Sequence, residues 1–246
     1  MRIDILGVGF DNTTVNEALI SACERMRGGG KGYIVTPNPE IVWLCRRNEA
    51  LRTSINNAAL VLPDGIGIVI AAKILGTRLH GGRIPGIDFI SALFGKMAES
   101  GSSVFLLGAK PGVADAAGKN LVEKYPGLVI SGVADGYFSD DTPIIKQINA
   151  ANPDLLLVCL GAPKQELWIT ENLERLNVPL LAGLGGSLDV FAGNVKRAPA
   201  FFRKIGLEWF YRLLKEPRRI KRMIKLPLFI LVVIFARIKG KKIKSR

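Results

Sequence analysis

The stretch LLLVCLGAPKQE, from Leu155 to Glu166, is the clearest indication of the fold class. Its first six residues form an apolar, β-rich run, which predicts a strand over Leu155–Leu160. A turn containing glycine and proline follows, and a helical pattern begins near residue 164. A strand that leads through a short turn into a helix is the repeating unit of a parallel sheet covered by helices.

The same alternation recurs along the whole chain of 246 residues, 48% of which are hydrophobic. We therefore predict an α/β fold, with a Rossmann-like, mostly parallel sheet flanked by helices. The predicted strands are Ile3–Val8, Tyr33–Thr36, Ala59–Leu62, Ser103–Gly108, Leu128–Val133, Leu155–Leu160 and Pro179–Gly183. The predicted helices lie near residues 14–27, 39–56, 66–75, 87–99, 112–125, 142–150, 164–175 and 187–192.

The positive charge is concentrated at the C-terminal end. Residues 196–246 contain seventeen Lys and Arg but only two acidic residues, Glu208 and Glu216, whereas residues 1–195 carry a formal charge of −2. We therefore divide the chain into an α/β body, residues 1–195, and a basic, aromatic-rich helical appendage, residues 196–246. An anionic membrane surface or a nucleic acid could attract such an appendage.

The apolar run PLFILVVIFA, Pro227–Ala236, favours the membrane over nucleic acid. The run is shorter than the about 20 residues that a transmembrane helix needs. It suits a segment that lies in the membrane interface or one that packs on the body with a solvated, charged outer face. We expect an anionic membrane surface to be a partner and nucleic acid not to be one.

Three cysteines without CxxC spacing, Cys23, Cys45 and Cys159, argue against a disulfide framework and a zinc site. The N-terminal residues MRIDILGVGF lack the basic start and apolar block of a signal peptide. We therefore expect a cytoplasmic protein that rests on the inner face of a membrane.

Polar loops follow five of the predicted strands. Open α/β sheets bind ligands beyond the carboxyl ends of their strands, so these loops could line one crevice. They are TPNPE (Thr36–Glu40), PDG (Pro63–Gly65), GAKPG (Gly108–Gly112), GAPKQE (Gly161–Glu166) and GLGGSLD (Gly183–Asp189).

Dinucleotide binding is disfavoured, because Phe10, Asp11 and Asn12 interrupt the GxGxxG pattern after the first strand. A Walker A sequence is also missing. His80 is the only histidine, which leaves little material for a Ser/His/Asp triad or a histidine metal site. The glycine turns Gly108–Gly112 and Gly185–Ser187 are the best candidates for holding a phosphate through backbone N–H groups.

Asp64 is the leading candidate for acid/base chemistry, since it follows an apolar strand and precedes Gly65. Spacing alone favours a second interpretation, in which Asp64 caps the next helix. Several other loop residues also have structural interpretations, as caps, first-turn residues or solvated groups. They are Asn38, Arg83, Gln165, Glu166, Ser187 and Asp189.

Five blocks taken together closely resemble the WecG/TagA/CpsF glycosyltransferase family, and within it the TagA type. The blocks are TPNPEIV, LPDGIG, GGRIPGIDF, GAPKQE and GLGGSLDVFAGNVKRAP, and they span the body. The resemblance implies an inverting transferase that moves N-acetylmannosamine from UDP-N-acetylmannosamine. The implied acceptor is the 4-hydroxyl of N-acetylglucosamine on undecaprenyl diphosphate, and the product is the β-1,4 linkage unit of wall teichoic acid.

The resemblance also implies roles for individual residues. Asp64 would be the general base, and the appendage would close over the active site. A sugar and acceptor pocket would be shaped by Thr36, Asn38, Arg83, Gln165 and Asp189, while Gly186 could approach phosphate. Arginine forks from the appendage would bind diphosphate in place of a metal, which agrees with the lack of a DxD pair near a strand end. These arginines are Arg212, Arg219 and Arg222.

The implied partners are a UDP-sugar, a lipid-linked acceptor and the cytoplasmic face of the bacterial plasma membrane, with no metal or other cofactor. Alternatives stay open at this point. The donor could be UDP-N-acetylmannosaminuronic acid or a hexose for another surface polysaccharide. A non-enzymatic membrane-binding module would explain the appendage but not the loops, and homo-oligomerisation is a further alternative.

Overall fold

A six-stranded parallel sheet forms the centre of the protein, and the prediction of an α/β fold is confirmed. The computed structural model describes residues 1–28, 30–215 and 224–240, apart from the side chains of Lys204 and Arg212. The strands of the sheet are β3 (Gly32–Val35), β4 (Leu60–Val61), β5 (Ser103–Gly108), β6 (Val129–Ala134), β7 (Leu155–Cys159) and β8 (Leu180–Gly183). Their order in the sheet is β4-β3-β8-β7-β5-β6, and each neighbouring pair is parallel.

The prediction of a single first strand over Ile3–Val8 is wrong. The chain forms two short antiparallel strands instead, β1 (Arg2–Ile5) and β2 (Val8–Asp11), outside the parallel sheet. The turn between them places Gly7 at a φ of 91°, a conformation that glycine adopts without strain. The Asp4 side chain accepts a hydrogen bond from the Gly7 N–H at 3.0 Å. The hydrogen bond and the glycine together reverse the chain direction at a point where the apolar pattern predicted that the strand would continue.

Helices cover both faces of the sheet, close to where the sequence predicts them. They are α1 (Val15–Met26), α2 (Pro39–Cys45), α3 (Glu49–Asn57), α4 (Ile66–Ile74), α5 (Gly86–Ser100), α6 (Val113–Lys124), α7 (Thr142–Ala151), α8 (Lys164–Asn172) and α9 (Ser187–Phe191). The helix predicted over 39–56 is two helices, because Asn48 caps α3 and accepts a hydrogen bond from the Leu51 N–H at 2.9 Å.

The core consists of two apolar clusters, one on each face of the sheet. Strand β7 contributes to both, since successive side chains of a strand point to opposite faces. Leu156 and Val158 belong to one cluster, and Leu155 and Leu157 to the other. Burial on both faces explains why the strand reads as an uninterrupted apolar run.

The described part of the appendage, residues 196–215 and 224–240, is largely helical and packs on the body. It contains α10 (Ala200–Lys204), α11 (Glu208–Lys215) and α12 (Lys225–Ile238). Helix α12 lies against α2 and α4, and its Phe229 and Val233 are fully buried in the same cluster as the sheet. Lys225 Nζ lies 3.3 Å from Glu40 Oε1, and Arg237 Nη1 donates to the Leu75 carbonyl at 3.3 Å. The run Pro227–Ala236 therefore contributes to the core.

The opposite side of α12 carries a second apolar surface. Leu228, Leu231, Phe235 and Ile238 recur at helical spacing and are exposed, and we call them the outer stripe. Within residues 1–28, 30–215 and 224–240, no helix is long and apolar enough to cross a membrane. Helix α12 thus has one apolar face in the protein core and another in contact with solvent.

Two phenylalanines of α12 provide a matched test of its packing. Replacing buried Phe229 with alanine should lower the free energy of unfolding by about 3–5 kcal/mol, because it leaves a cavity in the main core. Replacing Phe235, which is 61% exposed, with alanine should change the free energy of unfolding by less than about 0.5 kcal/mol. Urea unfolding followed by circular dichroism measures both. Equal effects of the two substitutions would show that α12 does not pack as described.

Candidate active site

A cavity of about 400 Å³ lies beyond the carboxyl ends of four adjacent strands, β4, β3, β8 and β7. Loops that follow these strands form its walls, together with the loop before α5 and part of the appendage. Parallel strands deliver the loops after them to the same edge of the sheet. The sequence motifs that were far apart along the chain therefore meet in one place.

Most of the candidate residues proposed from the sequence line this cavity. They are Thr36, Asn38, Asp64, Arg83, Gln165 and Gly186. Asp189 lies in the first turn of α9 and is not part of the lining. Arg212 belongs to α11, but its side chain is outside the description, and Arg219 and Arg222 lie outside the described residues.

The GAKPG turn, Gly108–Gly112, also does not line the cavity, although we predicted that it would. Strand order explains this. Strand β5 lies on the far side of β7 from β8, so its carboxyl end is one strand removed from the four that form the cavity. Chain order could not reveal this separation.

Asn38 combines a structural role with its place in the lining. Its Oδ1 accepts a hydrogen bond from the Ile41 N–H at 3.0 Å, which caps α2, and Pro39 occupies the first helical position. The capping interpretation of Asn38 is therefore confirmed. The cap also fixes the Asn38 side chain beyond the carboxyl end of β3, where it lines the cavity.

Asp64 stands one residue before the cap of α4. The N-cap is Gly65, with a φ of 88°, so Asp64 does not occupy the capping position that spacing suggested. The Asp64 N–H donates to the Pro37 carbonyl at 3.3 Å, which joins the loops after β3 and β4. Backbone geometry thus places a carboxylate in the lining at the end of β4.

Arg197 provides positive charge near this carboxylate. Its guanidinium forms an ion pair with Asp88 and also interacts electrostatically with Glu208 and Asp64. Arg83, which lines the cavity, donates from Nη2 to the Arg203 carbonyl of α10 at 2.8 Å. These two arginines therefore connect the body to the start of the appendage.

Sequence reasoning missed the appendage residues that line the cavity: Gly206, Glu208, Trp209 and Leu226. Gly206 has a φ of 76°, and a Cβ atom there would lie 2.9 Å from the Cβ of Ile66. Only glycine permits this close approach of the appendage to α4. The sequence indicated these residues only through the aromatic and basic composition of the appendage. Composition does not show which side chains face the cavity.

Gln165 and Glu166 are buried, with 3% and 2% exposure. Both lie in the first turn of α8, as the sequence suggested, but their burial shows that they are not ordinary first-turn residues. They lie three positions before buried Trp168 and Ile169, so helical periodicity could have placed them on the inner face of α8. Burial raises the pKa of the Glu166 carboxyl above its ordinary value.

The described residues contain no group of three or more His, Cys, Asp or Glu that could hold a metal ion. The thiols are also poorly suited to nucleophilic chemistry. Burial raises the pKa of Cys45 and of Cys159 to about 12, so both stay protonated at neutral pH. Of the charged groups in the described lining, three are carboxylates and one is a guanidinium: Glu40, Asp64, Glu208 and Arg83.

Comparison with known proteins places this architecture in a family. The model of the glycosyl transferase WecG/TagA/CpsF family matches residues 3–243. The chain belongs to this family. The resemblance seen in the five sequence blocks is thereby confirmed, and the family match continues into the appendage.

Three similar proteins share the name N-acetylglucosaminyldiphosphoundecaprenol N-acetyl-beta-D-mannosaminyltransferase. The protein of Staphylococcus aureus strain MW2 is 38% identical over 246 residues, which cover 99% of this chain and 96% of the relative. The Bacillus subtilis strain 168 protein is 40% identical over 201 residues, covering 82% of this chain and 78% of the relative. The Bacillus spizizenii protein is 39% identical over 202 residues, with the same two coverages.

The high thiol pKa values lead to a test of cysteine accessibility. In the folded protein at pH 8, Cys45 and Cys159 should resist alkylation by iodoacetamide, because thiols with a pKa of about 12 are protonated well above neutral pH. In urea all three cysteines should react, and mass spectrometry of peptides identifies each site. Rapid labelling of Cys159 in the native protein would contradict the described burial.

Proposed function

We propose that the chain is an inverting glycosyltransferase that moves N-acetylmannosamine from its UDP derivative to the 4-hydroxyl of N-acetylglucosamine on undecaprenyl diphosphate. One observation carries this proposal. Family motifs from four adjacent strand ends converge on one cavity with a carboxylate, Asp64, in its lining. The shared name of relatives aligned over nearly the whole chain supports the same donor and acceptor.

In the proposed reaction Asp64 is the general base. Its carboxylate accepts the proton of the acceptor 4-hydroxyl as that oxygen attacks the anomeric carbon of the donor. The new C–O bond forms as the bond from the anomeric carbon to the β-phosphate oxygen breaks, and the electron pair leaves with UDP. Attack from the face opposite the leaving group inverts an α-linked donor to a β-1,4 product. General-base assistance of this kind contributes about 10²–10⁴-fold in rate.

The departing UDP gains negative charge, which must be stabilised for the bond to break. We propose that Arg212, Arg219 and Arg222 of the appendage supply this stabilisation through guanidinium forks, which bind diphosphate oxygens in pairs. The reaction would then proceed without a metal. The docking of α10 and α12 against the cavity walls supports an appendage that takes part in the site.

The lining favours a neutral donor sugar over the uronic acid alternative. Glu40, Asp64 and Glu208 contribute carboxylates, whereas Arg83 is the cation that the described lining contains. A carboxylate on the sugar would add negative charge to a cavity whose described lining already carries three carboxylates. A purely membrane-binding module has no use for such a cavity, so the transferase is the better interpretation.

We also propose that the enzyme docks on the cytoplasmic face of the bacterial plasma membrane, where its lipid-linked acceptor is anchored. The outer stripe of α12 is an exposed apolar surface, and the sequence around it is strongly basic, with seventeen Lys and Arg over residues 196–246. Apolar side chains that enter the interface next to basic residues are typical of helices that lie on anionic membranes. Each basic residue near such a surface contributes about 1 kcal/mol.

The function is tested by UDP release from UDP-N-acetylmannosamine with a GlcNAc-diphosphate-lipid acceptor in EDTA. We expect release that depends on the acceptor, and Asp64→Asn should lower its rate by about 10²–10⁴-fold. Asp115→Asn, on the exposed side of α6, is the matched control. Activity only with UDP-N-acetylmannosaminuronic acid would show that the proposed donor is wrong. Near-full turnover by Asp64→Asn would show that Asp64 is not the general base.

Membrane docking is tested on the outer stripe without disturbing the core. Leu231→Glu combined with Phe235→Glu should reduce co-sedimentation with anionic phosphatidylglycerol vesicles at least about tenfold, since it places two charges at an apolar interface. Ile20→Glu, at an exposed apolar position of α1, is the control and should bind like the parent protein. If the stripe variant binds vesicles as well as the parent protein and has the same melting temperature, the outer stripe is not the surface that docks on the membrane.

A further inference from the structure

Gln165 joins two loops of the cavity through one side-chain oxygen. Its Oε1 accepts a hydrogen bond from the Gly161 N–H at 3.2 Å and another from the Gly185 N–H at 2.9 Å. Gly161 follows β7 and Gly185 follows β8, so the amide oxygen holds the ends of two adjacent strands in a fixed relation. Gln165 is thus a link between loops as well as a wall of the cavity.

The link depends on which way the amide group faces. With the amide turned over, its NH₂ group would face two backbone N–H donors, and none of these hydrogen bonds could form. The correct orientation needs an acceptor on the nitrogen side. Glu166 supplies it, because Gln165 Nε2 donates to Glu166 Oε1 at 2.9 Å.

The surroundings hold Glu166 in place. Its carbonyl accepts hydrogen bonds from Ser54 Oγ at 2.8 Å and from Thr170 Oγ1 at 2.9 Å. Packing is also close at Gly183, where a Cβ atom would lie 3.4 Å from Gln165 Nε2. These bonds fix the main chain at Glu166, and its buried carboxyl group lies beside an amide that has little room to move.

We infer that Glu166 is a positioning residue whose carboxyl group fixes the amide of Gln165 in the orientation that ties the GAPKQE turn to the glycine turn after β8. The inference rests on the proposed function, since the UDP-sugar is taken to occupy the cavity that these turns line. Glu166 itself does not line that cavity and acts on the donor only through Gln165.

The hydrogen bond from Gln165 needs only one oxygen of the Glu166 carboxyl group. Burial raises the pKa of Glu166, and its Oε2 has no hydrogen-bond partner among the described residues. Oε1 remains an acceptor for Gln165 whether the carboxyl group is ionised or carries a proton on Oε2. Glutamine at position 166 has nearly the same shape, and its amide oxygen can accept the same hydrogen bond.

The experiment measures KM for the UDP-sugar, kcat and the melting temperature for a set of full-length variants. Glu166→Met removes the acceptor and should raise KM about tenfold or more, because Gln165 loses the group that sets its orientation. Glu166→Gln should keep KM within about twofold of the parent. Glu171→Gln makes the same change at the exposed end of α8 and should have no effect.

A double-mutant cycle with Gln165→Leu separates positioning from general stabilisation. If Glu166 acts through Gln165, adding Glu166→Met to Gln165→Leu should raise KM no further, so the two effects are not additive. Additive effects would overturn the inference. A lower melting temperature for Glu166→Met with an unchanged KM would overturn it as well.

A second pair of variants keeps the test decisive if Glu166→Met does not fold. Gln165→Glu places two carboxyl groups together and should weaken donor binding, and adding Glu166→Gln should restore it by reversing the direction of the hydrogen bond. Failure of this rescue would overturn the inference. Calorimetry of UDP binding measures the coupling between Gln165 and Glu166 without any turnover. If the parent protein shows no turnover, that result counts against the proposed function, while the calorimetry still tests the role of Glu166.

Discussion

The parallel pairing of β4, β3, β8 and β7 is the constraint on which the site depends. Each of these strands ends at the same edge of the sheet, and the loops that follow them must therefore meet there. All four strands are short and buried, so their apolar side chains, packed on both faces, fix the position of the polar residues that come next. Asp64 and Gln165 line the cavity because the core fixes the strands that precede them in the sequence, β4 and β7.

The appendage belongs both to the core and to the site. Phe229 and Val233 are buried with the sheet, while Trp209 and Leu226 line the cavity. Removing the appendage would therefore expose core surface in addition to opening the site. Single substitutions on the outer stripe distinguish membrane contact from folding, because they leave the buried face of α12 intact.

The buried pair of Gln165 and Glu166 illustrates how polar groups in a core can serve a site. Leaving a buried hydrogen-bonding group without a partner costs about 1–3 kcal/mol, so such groups are retained where their orientation matters. Here the side-chain amide uses its oxygen on two backbone N–H groups and its nitrogen on the neighbouring carboxyl. The result is a rigid connection between two loops at the edge of the sheet.

The α/β class, the parallel sheet, most helix positions and six of the residues that line the cavity could be predicted from the sequence, because periodicity and strand-end loops are local features. Prediction from the sequence failed at Gly7, where a positive φ reverses the chain, and at Glu166, whose burial depends on how α8 packs. Three features became visible only in the folded chain: GAKPG lies one strand away from the cavity, α12 packs on α2 and α4, and Gly206 lets the appendage approach α4. Each of these depends on strand order or on contacts between residues distant in sequence, which local patterns do not encode.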